Sequence, residues 1–229
     1  MLIDMIEAKK AFKEYVKKYN PEDEKIKIKI VHIERVAENS KRIAENLNLS
    51  QEDIELAELI GLLHDIGRFE QVRLYHTFVD KDSINHGEYG AKVLFEDGLI
   101  RKFIKDDKFD RIIKLAIINH NRADIEEGLT EREKLHAKII RDADKIDIFY
   151  EGVTMFWNGK EELVEESLIS PEVFKQIENK TQVKREVRQT PIDDVLSVLG
   201  FIFDINFFKS FSISVYRNIM LFTDCRKAF

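Results

Sequence analysis

Cysteine, proline and glycine are scarce in this chain of 229 residues, which has one, three and nine of them. The single cysteine, Cys225, excludes an intramolecular disulfide, and no CxxC pair of the kind that holds zinc is present. So few prolines and glycines favour long helices joined by short connections over a sandwich of many strands. We therefore expect an all-α protein.

An excess of basic residues is also missing, because the formal net charge is −6. A nucleic-acid-binding protein usually has a basic face, so we expect no nucleic-acid partner. A small phosphorylated substrate remains compatible with this charge, since a metal ion or an arginine can reverse the field inside a pocket.

The chain has no hydrophobic run of the length of a membrane span. The longest run, residues 195–208 (VLSVLGFIFDINFF), is too short to cross a bilayer and contains Asp204. The first residues, MLIDMIEAKKAFKEY, are charged throughout, unlike a signal peptide. We expect a cytoplasmic protein with no membrane partner, and the sequence allows a homodimer.

Helical periodicity runs through almost the whole chain, and the predicted helices cover residues 3–19, 22–48, 50 to about 67, 85–96, 107–121, 131–152, 171–185 and 191–224. Two segments interrupt this pattern. Residues 68–82 (RFEQVRLYHTFVDKD) predict a long loop or short helical turns, and the polar residues 158–166 predict a break. An apolar stripe between Val195 and Phe222 indicates a packed helical subdomain or an interface.

Two helix starts have capping residues. Ser50 precedes Asp53 by three residues, and Asn85 precedes Glu88 by the same spacing. Both pairs are typical of the capping box, in which each side chain binds a free backbone N–H of the first turn.

Four of the six histidines, His32, His64, His86 and His120, fall on core faces or at helix ends near a core. Burying that many imidazoles without partners would cost several kcal/mol, and metal coordination would satisfy them. His76 lies in an irregular segment, and His136 lies among charges in EREKLHAK, where a surface position is expected. Neither belongs to the predicted metal set.

Carboxylates accompany these histidines. Asp65 directly follows His64, and the segment IIRDADKIDIF places Asp142, Asp144 and Asp147 within two turns of one helix. Spacing alone does not choose between Asp142 and Asp144, since each lies on an apolar side. The alternative is that one or two of these aspartates are solvated or pair with neighbouring basic residues.

The segments VHIERV, LLHDIGR and DADKID, in this order and spacing over roughly residues 25–150, resemble the HD superfamily of metal-dependent phosphohydrolases. The resemblance implies an HD-domain helical bundle, as one domain over 1–229. Its core would cover about 22–155, and a C-terminal helical extension over 165–229 would pack on it. It also implies metal ligands at His32, His64, Asp65 and Asp144.

NHGEYGA and IINHN add His86 and His120, and the set is similar to that of dinuclear HD enzymes such as HD-type diadenosine tetraphosphate hydrolases. The resemblance implies two divalent ions. His32, His64, Asp65 and Asp144 would hold one ion, and Asp65, His86 and His120 the other, with Asp65 as the bridge. Manganese, iron, cobalt, nickel and zinc all suit such ligands. A GYP motif is absent and Asn121 follows His120, so a cyclic dinucleotide substrate is disfavoured.

The activity implied is hydrolysis, by a metal-activated hydroxide, of a phosphate ester or anhydride in a nucleotide or another small phosphorylated metabolite. Asp65 would orient the nucleophile and Arg68, where the family often has lysine, would contact the phosphate. The further candidates for substrate binding are Arg73, Asn121, Arg122 and Lys145, for which a solvated or salt-bridged surface role is the alternative.

Two other functions stay open. A di-iron oxygenase of the HD type would use the same ligands, and a non-catalytic nucleotide-sensing HD domain has no need of all six. The loop predicted between residues 68 and 82 lies between the two halves of the expected site, so it is expected to select the substrate.

Overall fold

The computed structural model describes residues 3–156, 166–208 and 212. These residues form helices and turns and include no strand, which confirms the prediction of an all-α protein. The chain divides into two compact units, residues 1–144 and 145–229. The packing of a C-terminal extension on a helical core stays a prediction.

The described residues of the first unit form six complete helices and the start of a seventh. They are α1 (Met5–Val16), α2 (Glu24–Asn46), α3 (Gln51–Leu63), α4 (Ile66–Tyr75), α5 (His86–Phe95), α6 (Asp110–Asn119) and α7 (Glu131–Phe156). Short 3-10 turns cover Asp80–Asp82 and Leu99–Lys102.

Ser50 and Asn85 are confirmed as N-cap residues. The Ser50 hydroxyl oxygen accepts the backbone N–H of Asp53 at 3.2 Å and its O–H donates to the Asp53 carboxylate at 2.7 Å. The side-chain oxygen of Asn85 accepts the backbone N–H of Glu88 at 3.1 Å. These bonds satisfy backbone donors that the first turn of a helix leaves free, and so they set where α3 and α5 begin.

Helix α3 forms the centre of the first unit, in contact with α1, α2 and α6. Every residue from Leu56 to Leu63 is buried. Burying a leucine or isoleucine side chain contributes about 1.5–3 kcal/mol, so this run is a main source of the unit's stability. Gly61 allows α2 to approach, because a Cβ there would lie 2.7 Å from the Cα of Ala37.

The prediction of a long loop or short helical turns over 68–82 is wrong for its first half. Helix α3 ends at Leu63, and a new helix, α4, runs over Ile66–Tyr75. Phe69 and Val72 are buried on α4, which contacts α2 and α5. The pattern was obscured by Gln71, a polar residue that is fully buried. Its amide donates to Asp80, Ser83 and the Ile84 carbonyl, so the burial leaves this group satisfied.

The second unit contains α8 (Pro171–Glu178), α9 (Pro191–Leu199) and two 3-10 turns, Arg185–Val187 and Gly200–Asp204. Both helices are shorter than predicted. Within this unit Asp193 accepts the backbone N–H and the hydroxyl of Ser170, at 3.0 and 2.6 Å. Residues 157–165, 209–211 and 213–229 lie outside the described residues, and with them most of the predicted break and the end of the apolar stripe.

Among the described residues, no helix combines the length and the apolar character that crossing a bilayer requires.

Candidate metal centre

The six residues of the predicted ligand set meet within the first unit. His32 lies on α2, His64 and Asp65 form the junction of α3 and α4, His86 begins α5, His120 follows α6, and Asp144 lies on α7. The imidazoles and Asp65 are at most 5% exposed, and the Asp144 side chain is 18% exposed. Five separate segments therefore converge on one buried cluster.

The first half of the cluster contains His32, His64 and Asp144, whose ligand atoms all lie within 4.8 Å of one another. His32 Nε2 lies 3.1 Å from Asp144 Oδ1, and His64 Nε2 lies 3.8 Å from the same oxygen. Asp65 Oδ2 lies 3.6 Å from the Nε2 atoms of both His32 and His64.

The second half contains His86 and His120, whose Nε2 atoms are 3.0 Å apart. Both nitrogens face the other oxygen of Asp65, Oδ1, at 3.3 Å from His86 and 3.6 Å from His120. The two oxygens of one carboxylate therefore approach two different pairs of histidines, while His64, Asp65 and His120 also offer ligand atoms within 4.8 Å of one another.

Hydrogen bonds at Nδ1 decide which nitrogen of each ring is free. His64 Nδ1 donates to the Gly61 carbonyl at 2.8 Å, and His120 Nδ1 donates to the Ile117 carbonyl at 2.6 Å. A carbonyl oxygen can only accept, so the proton of a neutral ring is on Nδ1. The Nε2 lone pairs are left pointing into the cluster, which is the arrangement that a metal ligand needs.

His86 is held in the same tautomer by a carboxylate. Its Nδ1 donates to Asp80 Oδ2 at 2.7 Å, and the Asn121 amide donates to the same oxygen at 3.1 Å. Burial alone would raise the pKa of Asp80, but the hydrogen bond from His86 and the charge of Arg68 bring that pKa below its ordinary value. Asp80 is therefore ionised and orients the His86 ring.

The protonation states match those of metal ligands. Burial lowers the pKa of His64 to about 3 and that of His86 to about 4. Burial would raise the pKa values of Asp65 and Asp144, but neighbouring cationic and hydrogen-bonding groups, Lys29 first for Asp65 and His32 first for Asp144, bring both below the ordinary value. At neutral pH His64 and His86 are neutral, while Asp65 and Asp144 are ionised.

The cluster fits a divalent metal on its own geometry. His64 Nε2 and Asp65 Oδ1 are buried with no hydrogen-bond partner among the described residues. Such atoms are costly to bury unless a partner satisfies them. A cation beside them would accept both lone pairs, and the nitrogen and carboxylate donors suit first-row divalent ions.

Of the two candidate aspartates, the structure places Asp144 at the cluster. The carboxylate of Asp144 reaches His32 and His64, as described above. Asp142 is buried on the same helix, but it is not among the groups of possible metal ligands within the described residues.

Of the predicted substrate-binding residues, Arg68 and Asn121 lie beside the cluster. Arg68 Nε is 3.6 Å from Asp65 Oδ1, and Arg68 Nη1 donates to Asp80 Oδ1 at 2.9 Å. The others form ion pairs, Arg73 with Glu70, Arg122 with Glu126 and Lys145 with Asp204. The substrate roles of all five stay predictions.

Two residues at the centre were missed by the sequence analysis. Lys29 Nζ lies 2.7 Å from Asp65 Oδ2, and its position three residues before His32 on the same helix could have indicated it. Asp80 lies between α4 and α5 in an irregular segment, where no periodicity marks it.

The expectation of a surface position for His136 is wrong. His136 is 1% exposed, and its Nε2 lies 3.0 Å from a carboxylate oxygen of Asp53, on α3. The charged neighbours in the sequence suggested exposure, but buried and solvent-exposed residues alternate along a helix, so charged neighbours do not exclude a buried position. His136 and the exposed His76 both lie outside the cluster.

Searches of curated proteins and of solved structures returned no significant match. A family model described as the HD domain matches residues 30–148, which is just over half of the chain and contains all six residues of the cluster. The chain therefore belongs to the HD domain family, whose members bind divalent metals and are typically metal-dependent hydrolases.

Proposed function

We propose that this protein is a phosphohydrolase that uses two divalent metal ions to cleave a phosphate ester or anhydride in a nucleotide or another small phosphorylated metabolite. His32, His64, Asp65 and Asp144 would hold one ion, and Asp65, His86 and His120 the other. The observation that carries the proposal is the position of Asp65, whose two carboxylate oxygens face separate histidine groups at 3.3–3.6 Å.

The chemistry asked of bound ions is to lower the pKa of a water molecule and to offset the charge that develops on phosphate oxygens. Asp65 and Arg68 have separate roles in the reaction. Asp65 bridges the two halves and accepts a hydrogen bond from the attacking water. Arg68 donates to a phosphate oxygen, since a guanidinium binds such oxygens in a fixed geometry.

Other residues keep this arrangement ready before the substrate arrives. The Gly61 and Ile117 carbonyls hold the rings of His64 and His120, and Asp80 holds that of His86. Ligands fixed in this way need little reorganisation during the reaction. Burial of the cluster excludes bulk water and strengthens the charge interactions with a phosphate.

The test begins with metal analysis of protein purified without oxygen, followed by a screen of phosphatase and phosphodiesterase substrates. We expect phosphate release that survives when manganese replaces any iron. The expected loss in Asp65→Ala is at least about 100-fold in kcat/KM, because it removes a ligand of both ions. Iron-dependent oxygen uptake without phosphate release would overturn the proposal in favour of an oxygenase.

A control separates loss of the site from loss of the fold. Lys25→Met changes an exposed residue of α2, outside the cluster, and is expected to keep wild-type activity. Nucleotide binding without any turnover in metal-loaded wild-type protein would instead indicate a sensor domain.

A further inference from the structure

A lysine shares the central carboxylate with the proposed metal sites. Lys29 Nζ is 2.7 Å from Asp65 Oδ2, and its side chain is 16% exposed. We propose that Lys29 and Arg68 form a two-cation site for the two phosphoryl groups of a phosphoanhydride substrate, with Arg68 at the attacked group and Lys29 at the second. The inference rests on the proposed function and narrows its substrate class.

The two cations approach different oxygens of Asp65. Lys29 contacts Oδ2, the oxygen that faces His32 and His64, while Arg68 Nε is 3.6 Å from Oδ1, the oxygen that faces His86 and His120. Each half of the cluster therefore has one cation at its edge.

One aromatic ring lies beside both cations. The centroid of Phe78 is 5.3 Å from Lys29 Nζ and 5.6 Å from Arg68 Cζ. A ring at this distance attracts a cation through its quadrupole. Phe78 therefore holds both cations beside the cluster, where their side chains are 16% and 15% exposed.

Arg68 is anchored on one side and free on the other. Its Nη1 donates to the carbonyl of Phe78 at 2.6 Å, to Gln71 at 2.6 Å and to Asp80 at 2.9 Å. Its Nε is buried and has no hydrogen-bond partner among the described residues. A fixed guanidinium with an unused buried donor next to Asp65 is suited to an anionic oxygen.

A bound metal ion would also displace Lys29 from its hydrogen bond to Asp65. An ion held by His32, His64 and Asp65 would take the oxygen that the ammonium contacts, and two positive charges on one oxygen repel each other. The ammonium then needs another anion. Phe78 holds the ammonium of Lys29 at this partly exposed position, where the substrate's phosphates would lie.

This placement favours an anhydride over a simple ester. In the reaction, the oxygen of water bonds to one phosphorus and the bridging P–O bond breaks. The electron pair goes to the departing phosphate, and the protons of the water end on the two products or in solvent. The departing phosphate gains negative charge, which Lys29 offsets. A monoester presents no second phosphoryl group for Lys29 to bind.

The experiment measures binding to manganese-saturated protein by calorimetry, with no turnover required. The probes are α,β-methylene-ADP, which carries two phosphoryl groups, and the matching adenosine monophosphonate. We expect the wild type to bind the two-group probe about 10-fold more tightly, as for one charge-assisted hydrogen bond. Lys29→Met should abolish this preference, Lys29→Arg should retain most of it, and the control Lys25→Met should leave it unchanged.

Equal affinity of the wild type for both probes would overturn the inference. So would a loss of bound manganese in Lys29→Met, because the lysine would then be acting on the metal site. Neither result depends on phosphate release. If the enzyme hydrolyses monoesters but binds both probes equally well, the two-cation site is wrong and the proposed function is still supported.

Discussion

His86 and His120 approach each other with their Nε2 atoms 3.0 Å apart, although each ring already donates its Nδ1 proton elsewhere. The acceptors are the Asp80 carboxylate and the Ile117 carbonyl. When both rings are neutral, two lone pairs therefore meet without a proton between them. A cation bound by both nitrogens and by Asp65 Oδ1 would remove that repulsion.

The first prediction concerns the number of metal ions. His86→Ala and His120→Ala should each roughly halve the metal bound by the wild type, because each removes a ligand from one half only. Asp65→Ala should lose most of both ions, since its oxygens face both halves. Metal content is measured by plasma mass spectrometry, and circular dichroism checks the helical fold.

The matched control is His76→Asn, which removes an exposed histidine outside the cluster from a left-handed position that asparagine tolerates. Its metal content should equal that of the wild type. Unchanged metal content in both His86→Ala and His120→Ala would leave a one-metal site in place of the dinuclear proposal.

A second prediction concerns Asp80, which holds His86 through Nδ1. Asp80→Ala should lower the affinity for the metal ion at Asp65, His86 and His120 by about 10- to 100-fold, the range found for residues that orient a metal-binding histidine. Asp80→Asn retains an acceptor oxygen without the charge, and so it should lie between the alanine variant and the wild type. Competition with a chelating dye measures the affinity, and equal affinities in all three proteins would contradict the role.

A third prediction concerns pH and the pair of His136 and Asp53. Burial lowers the pKa of His136 below its ordinary value of 6.5, although the hydrogen bond to Asp53 acts in the opposite direction. The unfolded chain then takes up the proton more readily than the folded one. Stability should therefore fall as the pH drops below about 6.5.

Asp53 extends this loss to more acidic pH. Burial would raise its pKa, but hydrogen bonds from His136, Ser50 and Arg132 bring it from 3.8 to about 2. Its contribution is present above pH 3.8 and is lost as the pH falls toward 2.

The measurement is urea unfolding of metal-free protein at pH 7.5 and 5.5. His136→Gln should lose less unfolding free energy between these values than the wild type does, because its side chain does not titrate. His76→Asn changes an exposed histidine and should follow the wild type. Parallel behaviour of His136→Gln and the wild type would show that the pKa of His136 is not lowered.

A fourth prediction tests the approach of α4 to α5 at Gly67. A Cβ there would lie 2.7 Å from the backbone nitrogen of Gly90 and closer still to the His86 carbonyl. Gly67→Ala should therefore destabilise the protein by about 1–3 kcal/mol and weaken metal binding by displacing His86. Chemical denaturation measures the first effect and metal titration the second.

The control is Gly200→Ala, where the nearest atom, Ile177 Cδ1, lies at an ordinary 3.5 Å. Its stability should stay within about 0.5 kcal/mol of the wild type. If Gly67→Ala changes stability as little as Gly200→Ala does, the close approach of α4 to α5 is not required for stability.

Features that depend on neighbours in sequence could be predicted from sequence. The starts of α3 and α5 follow from Ser50 and Asn85, because a cap bonds to a backbone only two or three residues away. Helix α4 was missed because Gln71 looks like a surface residue. Its burial depends on hydrogen-bond partners at positions 80, 83 and 84, which hydrophobic periodicity does not predict.

The candidate site divides in the same way. The sequence by itself determined most helices of the first unit, the six residues of the predicted ligand set and the family resemblance, since residue type and spacing along the chain carry this information. Tertiary structure alone decided that Asp65 faces both histidine groups, that Asp144 reaches His32, and that Lys29, Arg68 and Asp80 surround the centre. These relations join residues from separate helices, and their distances are set by how the helices pack.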